Sequence, residues 1–277
     1  MKITLKPTVY AFVAATALFV TGCNSDDDAP MPEPNLTVVE DDISVNLAME
    51  DLDNVTMSVM SNSGLGARTT ETIPSGDLCE SAEITLDESS KTIIVDFGTG
   101  CTSETGITRK GKVRLTYTGN LLFPGAKIVS TFDGYVVNGL AVEGTRTITN
   151  KGVDLETNTV NLEVKVGDGK ITWPDNTFVT FTSNQSRVIK LKASGYEGTI
   201  SGTASGVSRD GNTYTTIVTD PLMVSQECIE SGTSIPNSGV VEFKYAGIAV
   251  NLDYGSGSCD KAISVNYPGG TKEITVE

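Results

Sequence analysis

Apolar and polar residues alternate along most of the chain beyond residue 66. Val113, Leu115 and Tyr117 alternate with polar neighbours, and residues 160–166 repeat the pattern. This period of two predicts strands that have one face against a core and the other in water. Turn signals such as Asn138-Gly139 separate the runs at short intervals, with no helical pattern between them. The pattern therefore predicts an all-β, antiparallel, hairpin-rich fold, either a sandwich or a curved, barrel-like sheet.

One segment departs from this period. Ala48, Leu52, Val55 and Val59 follow helical spacing and predict a short N-terminal helix within residues 36–60. The predicted division is a helical segment at 37–66 and a β domain at 67–277. Whether the β domain is one unit or two related halves stays open.

Small residues dominate one predicted strand. Thr199 to Val207 reads Thr-Ile-Ser-Gly-Thr-Ala-Ser-Gly-Val. Glycine inside a strand often marks a close approach of another backbone, so a neighbouring strand or sheet should pass unusually near this one.

The N-terminus predicts export and lipidation. Lys2 and Lys6 precede an apolar run, Val9 to Val20, that is too short to span a bilayer, so residues 1–22 read as a signal peptide. Val20-Thr21-Gly22-Cys23 resembles the lipobox of bacterial lipoproteins, which implies acylation of Cys23 and a stable membrane anchor.

Residues 23–36 form an acidic, proline-containing tether. The run Ser25-Asp26-Asp27-Asp28 resembles the surface-export tag of Bacteroidota lipoproteins. That resemblance implies an outer-membrane protein facing the medium. The alternatives are a periplasm-facing lipoprotein and a tether that its acids merely keep extended.

Composition narrows the chemistry. The 277 residues include no histidine, which removes Ser-His-Asp and Cys-His nucleophiles and histidine metal ligands. A formal charge of −15 disfavours nucleic acid as a partner. A pair of carboxylates could still catalyse glycoside hydrolysis. With 35 acidic residues, however, some pair will lie at a suitable distance by chance, so such a pair is no evidence of catalysis. We therefore predict no catalytic residue, no metal and no cofactor.

Two features are candidate ligand contacts. Arg109, Lys110 and Lys112 belong to the one basic cluster of an acidic chain, which predicts either a contact for an anionic glycan or protein, or a charged hairpin protecting a sheet edge. Trp173 lies in a predicted turn, where it either stacks on a sugar ring or plugs the core.

A turn sequence occurs twice. Asp96-Phe97-Gly98-Thr99-Gly100 and Asp253-Tyr254-Gly255-Ser256-Gly257 both run into a cysteine and are both preceded by an earlier one. With the segments 108–119, 135–139 and 142–147, this pattern resembles a family of uncharacterised Bacteroidota surface lipoproteins. The resemblance implies the location and the all-β fold, and brings no activity with it.

The four cysteines after Cys23 allow three disulfide connectivities. In each copy of the repeated turn the nearby partner of the second cysteine is the one upstream, so we predict Cys79–Cys101 and Cys228–Cys259. Asp96 and Asp253 should cap their turns. A four-thiolate zinc site is the weaker alternative, because no C-x2-C pair exists.

Three functions remain open. The first is a non-catalytic surface lipoprotein that binds a glycan or protein or has a structural role. Polar, threonine-rich sheet faces would favour this function. The second is a carbohydrate-active enzyme, which would need a cleft with converging acids. The third is an envelope carrier for a lipid or similar ligand, which would need an open apolar concavity.

Overall fold

A computed structural model describes residues 3–4, 34–62, 78–193 and 195–276. The described chain forms one antiparallel sheet of fifteen strands, together with two helices. The elements are α1 (Thr37–Asn62), α2 (Gln226–Glu230), β1 (Ile3–Thr4), β2 (Glu83–Asp87), β3 (Thr92–Asp96), β4 (Cys101–Thr102), β5 (Thr108–Tyr117), β6 (Lys127–Val137), β7 (Leu140–Asp154), β8 (Thr159–Thr172), β9 (Phe178–Lys192), β10 (Gly195–Val207), β11 (Thr213–Ser225), β12 (Ser238–Tyr245), β13 (Ile248–Ser256), β14 (Ala262–Tyr267) and β15 (Gly270–Val276).

The sheet is a meander. From β5 to β15 every strand pairs with the next one along the chain, while β3 and β4 both pair with β5, and β2 lies at one edge. Tight turns explain this order. Asn138 and Gly139 both have positive φ values, 48° and 83°, as a two-residue hairpin turn of the expected type requires. The two edge strands, β1 and β2, do not pair with each other, so the described strands form an open sheet. The prediction of an all-β, antiparallel fold is confirmed.

The sheet encloses α1. Of the helix residues 37–60, only Thr37, Asn46, Asn54 and Met57 are exposed, whereas a helix lying on a flat sheet exposes about half of its surface. Inward-facing side chains of the strands join those of α1 in one hydrophobic core. The sheet must therefore bend around the helix, and its concave face is occupied. Within the described part of the chain, no helix has the length and apolarity needed to cross a membrane.

Both predicted disulfides are present. Cys79 pairs with Cys101 and Cys228 with Cys259, across Cα–Cα distances of 5.8 and 4.9 Å. The repeated turns are also built as predicted. The carboxylates of Asp96 and Asp253 each accept a hydrogen bond from the backbone N–H two residues on, at 2.8 Å in both copies. The first disulfide fixes the chain near edge strand β2, and the second fixes α2 to the loop after β13.

Parts of the predicted domain division lie outside the described residues. The predicted helical segment at 37–66 is helix up to Asn62, and residues 63–77 lie outside the described residues. So do Cys23 and most of the signal peptide and tether, although Ile3 and Thr4 pair with β15. The predicted β domain at 67–277 contains strands from Glu83 to Val276 that all belong to the one sheet.

Candidate functional site

A polar groove crosses the outer, solvent-facing side of β9 to β12. It has a volume of about 510 Å³. Two rows of outward side chains form its floor, and the strand register aligns both. The first row is Thr182, Ser205, Thr215 and Lys244, and the second is Asn184, Thr203, Ile217 and Glu242. Four strands spaced at about 4.8 Å give the floor a width of about 14 Å.

The composition of β10 creates this groove. The side chains at the centre of this strand are small and project only a short distance from the sheet; the sequence there is Ser-Gly-Thr-Ala-Ser-Gly. On the opposite, inner side of the same strand, a Cβ on Gly206 would lie 2.2 Å from the carbonyl oxygen of Thr180, so this position accepts only glycine. The close backbone approach predicted for residues 199–207 is thereby confirmed, and it lies between β9 and β10.

The groove offers hydrogen-bonding groups that the protein itself leaves available. The side chains of Asn184, Thr203 and Thr215 are exposed and make no hydrogen bond to any described residue. The groove's two charges are paired with each other, since the Lys244 ammonium lies 2.6 Å from the Glu242 carboxylate. The floor is therefore polar but close to neutral, and it holds a single carboxylate.

The predicted basic cluster is divided between the two faces of β5. Arg109 points inward, is 2% exposed, and donates from Nε to the Asp51 carboxylate at 2.9 Å. Lys110 and Lys112 point outward, and Lys112 pairs with Asp96 at 2.7 Å. Because β5 lies between β3 and β6, the cluster does not protect a sheet edge. Contact of the two lysines with a ligand stays a prediction, whereas the guanidinium of Arg109 is occupied within the protein.

Trp173 lies in the turn between β8 and β9 and packs partly against the core. The guanidinium of Arg209 lies 4.7 Å from the centre of its ring. Trp173 also lines a smaller cleft of about 230 Å³ beside Leu47 and Ala48 of α1. This cleft shares no lining residue with the groove on β9–β12. Neither the basic cluster nor Trp173 therefore lines that groove.

Ion pairs between α1 and the sheet are the main feature that the sequence did not reveal. The helix carries six acids and no base, and four of the six arginines in the chain bind these acids. Three of the arginines are buried at the second half of α1. Besides the Arg109–Asp51 pair, Arg146 Nε donates to Asp53 at 2.6 Å. Arg187 binds Asp53 at 2.9 Å and Glu50 at 2.7 Å.

The first half of α1 is held differently. Asp41 receives one hydrogen bond, of 3.1 Å, from Arg209, whose side chain is 25% exposed. Asp42 is buried and has no cationic partner among the described residues; its carboxylate accepts a hydrogen bond from the Asn46 amide at 2.9 Å. Burial raises the pKa of Asp42 from 3.8 to about 7, and the charge of Asp41 acts in the same direction.

Neither a metal site among the described residues nor a similarity to known proteins indicates a function. Among the residues that the structure describes, no group of three or more cysteine, aspartate or glutamate side chains is placed to hold a metal ion. The chain matches no family model, no curated protein and no solved structure. The assignment of function therefore depends on the groove and on the sequence.

Proposed function

We propose that the protein is a non-catalytic lipoprotein of the bacterial cell surface that binds a neutral glycan in the groove on β9–β12. The lipobox at Cys23 and the acidic tether support the location, and the groove supports the ligand. The unpaired hydrogen-bonding groups of Asn184, Thr203 and Thr215 are the single observation on which the ligand class rests.

Sugars match these groups chemically. A threonine hydroxyl both donates and accepts hydrogen bonds, as each sugar hydroxyl does, and an asparagine amide does both through its two ends. The methyl groups of threonine and the side chain of Ile217 offer apolar contacts for the C–H faces of sugar rings. The paired Glu242 and Lys244 add no net charge, and the overall charge of −15 disfavours anionic polymers.

Binding is favoured over the two other functions by two observations. Hydrolysis by paired carboxylates needs a second acid, and Glu242 is the one acid among the groove's lining residues. A lipid carrier needs an open apolar concavity, and α1 fills the concave face of this sheet.

The test compares the full chain in mild detergent with a triple variant, Asn184→Ala/Thr203→Val/Thr215→Val. Valine keeps the shape of threonine and removes its hydroxyl. On affinity gels containing amylose, mannan or xylan, at least one neutral polymer should retard the natural chain. The variant should bind it at least tenfold more weakly, since each lost hydrogen bond contributes about 0.5–1.5 kcal/mol.

Thr116→Val is the matched control, because Thr116 is exposed on the same sheet face at β5, outside the groove. It should bind like the natural chain. Alginate and chondroitin sulfate serve as anionic probes. Preference for an anionic polymer would contradict the ligand class, and binding that the triple variant retains would contradict the groove.

A further inference from the structure

The two halves of α1 are joined to the sheet by very unequal numbers of ion pairs. Three acids of the second half, Glu50, Asp51 and Asp53, meet three arginines whose side chains are at most 10% exposed. The three acids of the first half, at 40–42, meet one arginine, which is shared with Asp175. Any loss of docking should therefore begin in the first half.

The local sequence adds to this difference. Of the first nine residues of α1, five are β-branched, namely Thr37, Val38, Val39, Ile43 and Val45. Such residues lose side-chain freedom in a helix and form one weakly without packing. The first half of α1 is thus helical because it is docked.

Asp42 is the buried acid of the first half that has no cationic partner among the described residues. The charged group that acts on it directly is Asp41, which in turn lies near Glu40 on α1 and near Arg209 and Asp210 in the turn between β10 and β11. From the sheet Asp42 faces the hydroxyl groups of Tyr214 on β11 and Tyr254 on β13. The Tyr214 hydroxyl lies close enough to the Asp42 carboxyl to lower its pKa, which opposes the larger effect of burial. One oxygen of Asp41 is buried without a hydrogen-bond partner among the described residues. Asp42 is buried beside the acid Asp41 and has no cationic partner among the described residues, so its surroundings accept a neutral Asp42 better than an ionised one.

We propose that residues 37–48 form a proton-controlled strap, which is docked most stably while the Asp42 carboxyl is protonated and opens from the sheet more often when it ionises. Residues 49–60 stay clamped by their arginines. The direction agrees with the raised pKa of Asp42. Release uncovers the inner sheet face at Tyr214, Phe243 and Tyr245, whose rings pack with centroids 5.1 and 5.6 Å apart. The proposal is independent of glycan binding in the groove.

Hydrogen exchange of the full chain in mild detergent tests the strap. A carboxyl with a pKa of about 7 when docked and 3.8 when released makes opening about tenfold more frequent at about pH 8 than at about pH 6. After correction for the intrinsic exchange rate, protection of amides 38–48 should fall by that factor, and protection of amides 49–60 should not change.

Asp42→Asn keeps the shape of the side chain and cannot ionise, so it should abolish the pH dependence. Glu40→Gln removes a half-buried acid from the same turn and should leave it intact. Equal loss of protection in both halves of the natural chain would overturn the proposal, as would unchanged protection of residues 38–48. Both of these results come from the natural chain and do not depend on the folding of a variant.

Discussion

Removing Arg109 should destabilise the protein far more than removing a neighbouring cation on the same strand. In the natural chain Asp51 is buried and receives hydrogen bonds from Arg109 and, at 3.1 Å, from the Tyr135 hydroxyl. Arg109→Met fills much of the same volume and leaves the carboxylate with the phenol as its remaining described partner. Breaking one side of a buried ion pair costs about 3–5 kcal/mol of unfolding free energy. For a chain of this size that loss lowers the melting temperature by about 10 °C.

Two further variants make this prediction specific. Arg109→Met/Asp51→Leu removes both charges and should recover most of the lost stability, because a buried ion pair and an apolar pair of similar size are nearly equivalent. Lys112→Met breaks the exposed pair with Asp96 on the same strand and should cause no measurable loss. Urea unfolding of a soluble form lacking residues 1–23 measures all three. If Arg109→Met is no worse than Lys112→Met, or the double variant is worse than the single one, the reasoning is wrong.

Two other predictions concern the cysteines. Cys23→Ala should move the protein from the membrane to the soluble fraction or stall its processing, and normal acylation with membrane retention of that variant would contradict lipidation. Replacing Cys79 and Cys101 by alanine reopens a loop with a sequence separation of 22 residues and should lower the unfolding free energy by about 3 kcal/mol. The same change at Cys228 and Cys259, separated by 31 residues, should cost slightly more, and an unchanged urea midpoint for either pair would contradict the role of that bridge.

Local patterns were enough to predict most of the fold. Alternation along residues 113–117 specifies a strand with one buried face, and pairs such as Asn138-Gly139 specify the hairpin that follows, because both signals depend on adjacent residues. The disulfides followed from the repeated turn for the same reason. The five-residue α2 was not predicted, since so short a helix has no detectable period.

The enclosure of α1 could not be predicted in this way, because sheet curvature depends on contacts between distant strands. One signal was nevertheless present in the sequence. Arg109 shares its strand face with Val113, Arg146 with Ile148, and Arg187 with Ile189, so each arginine occupies an inward position of an alternating strand. Charged residues at inward positions, in a chain whose one predicted helix carries only acids, indicate ion pairs between that helix and the sheet.

The position of these arginines offers a reason for keeping charges in the core of this protein. Strands rich in threonine and glycine specify their register weakly, because polar side chains are acceptable on either face. Arg109, Arg146 and Arg187 lie on β5, β7 and β9, which are alternate strands of the meander. A slip of one residue in β5 would turn Arg109 outward and leave the Asp51 carboxylate buried without a cation, at a cost of about 3–5 kcal/mol. Asp53 is shared by Arg146 and Arg187, so a slip in β7 or β9 would remove one of its two cations. The ion pairs thus act against wrong registers: each arginine fixes its strand relative to the same helix, and the helix relates all three strands to one another.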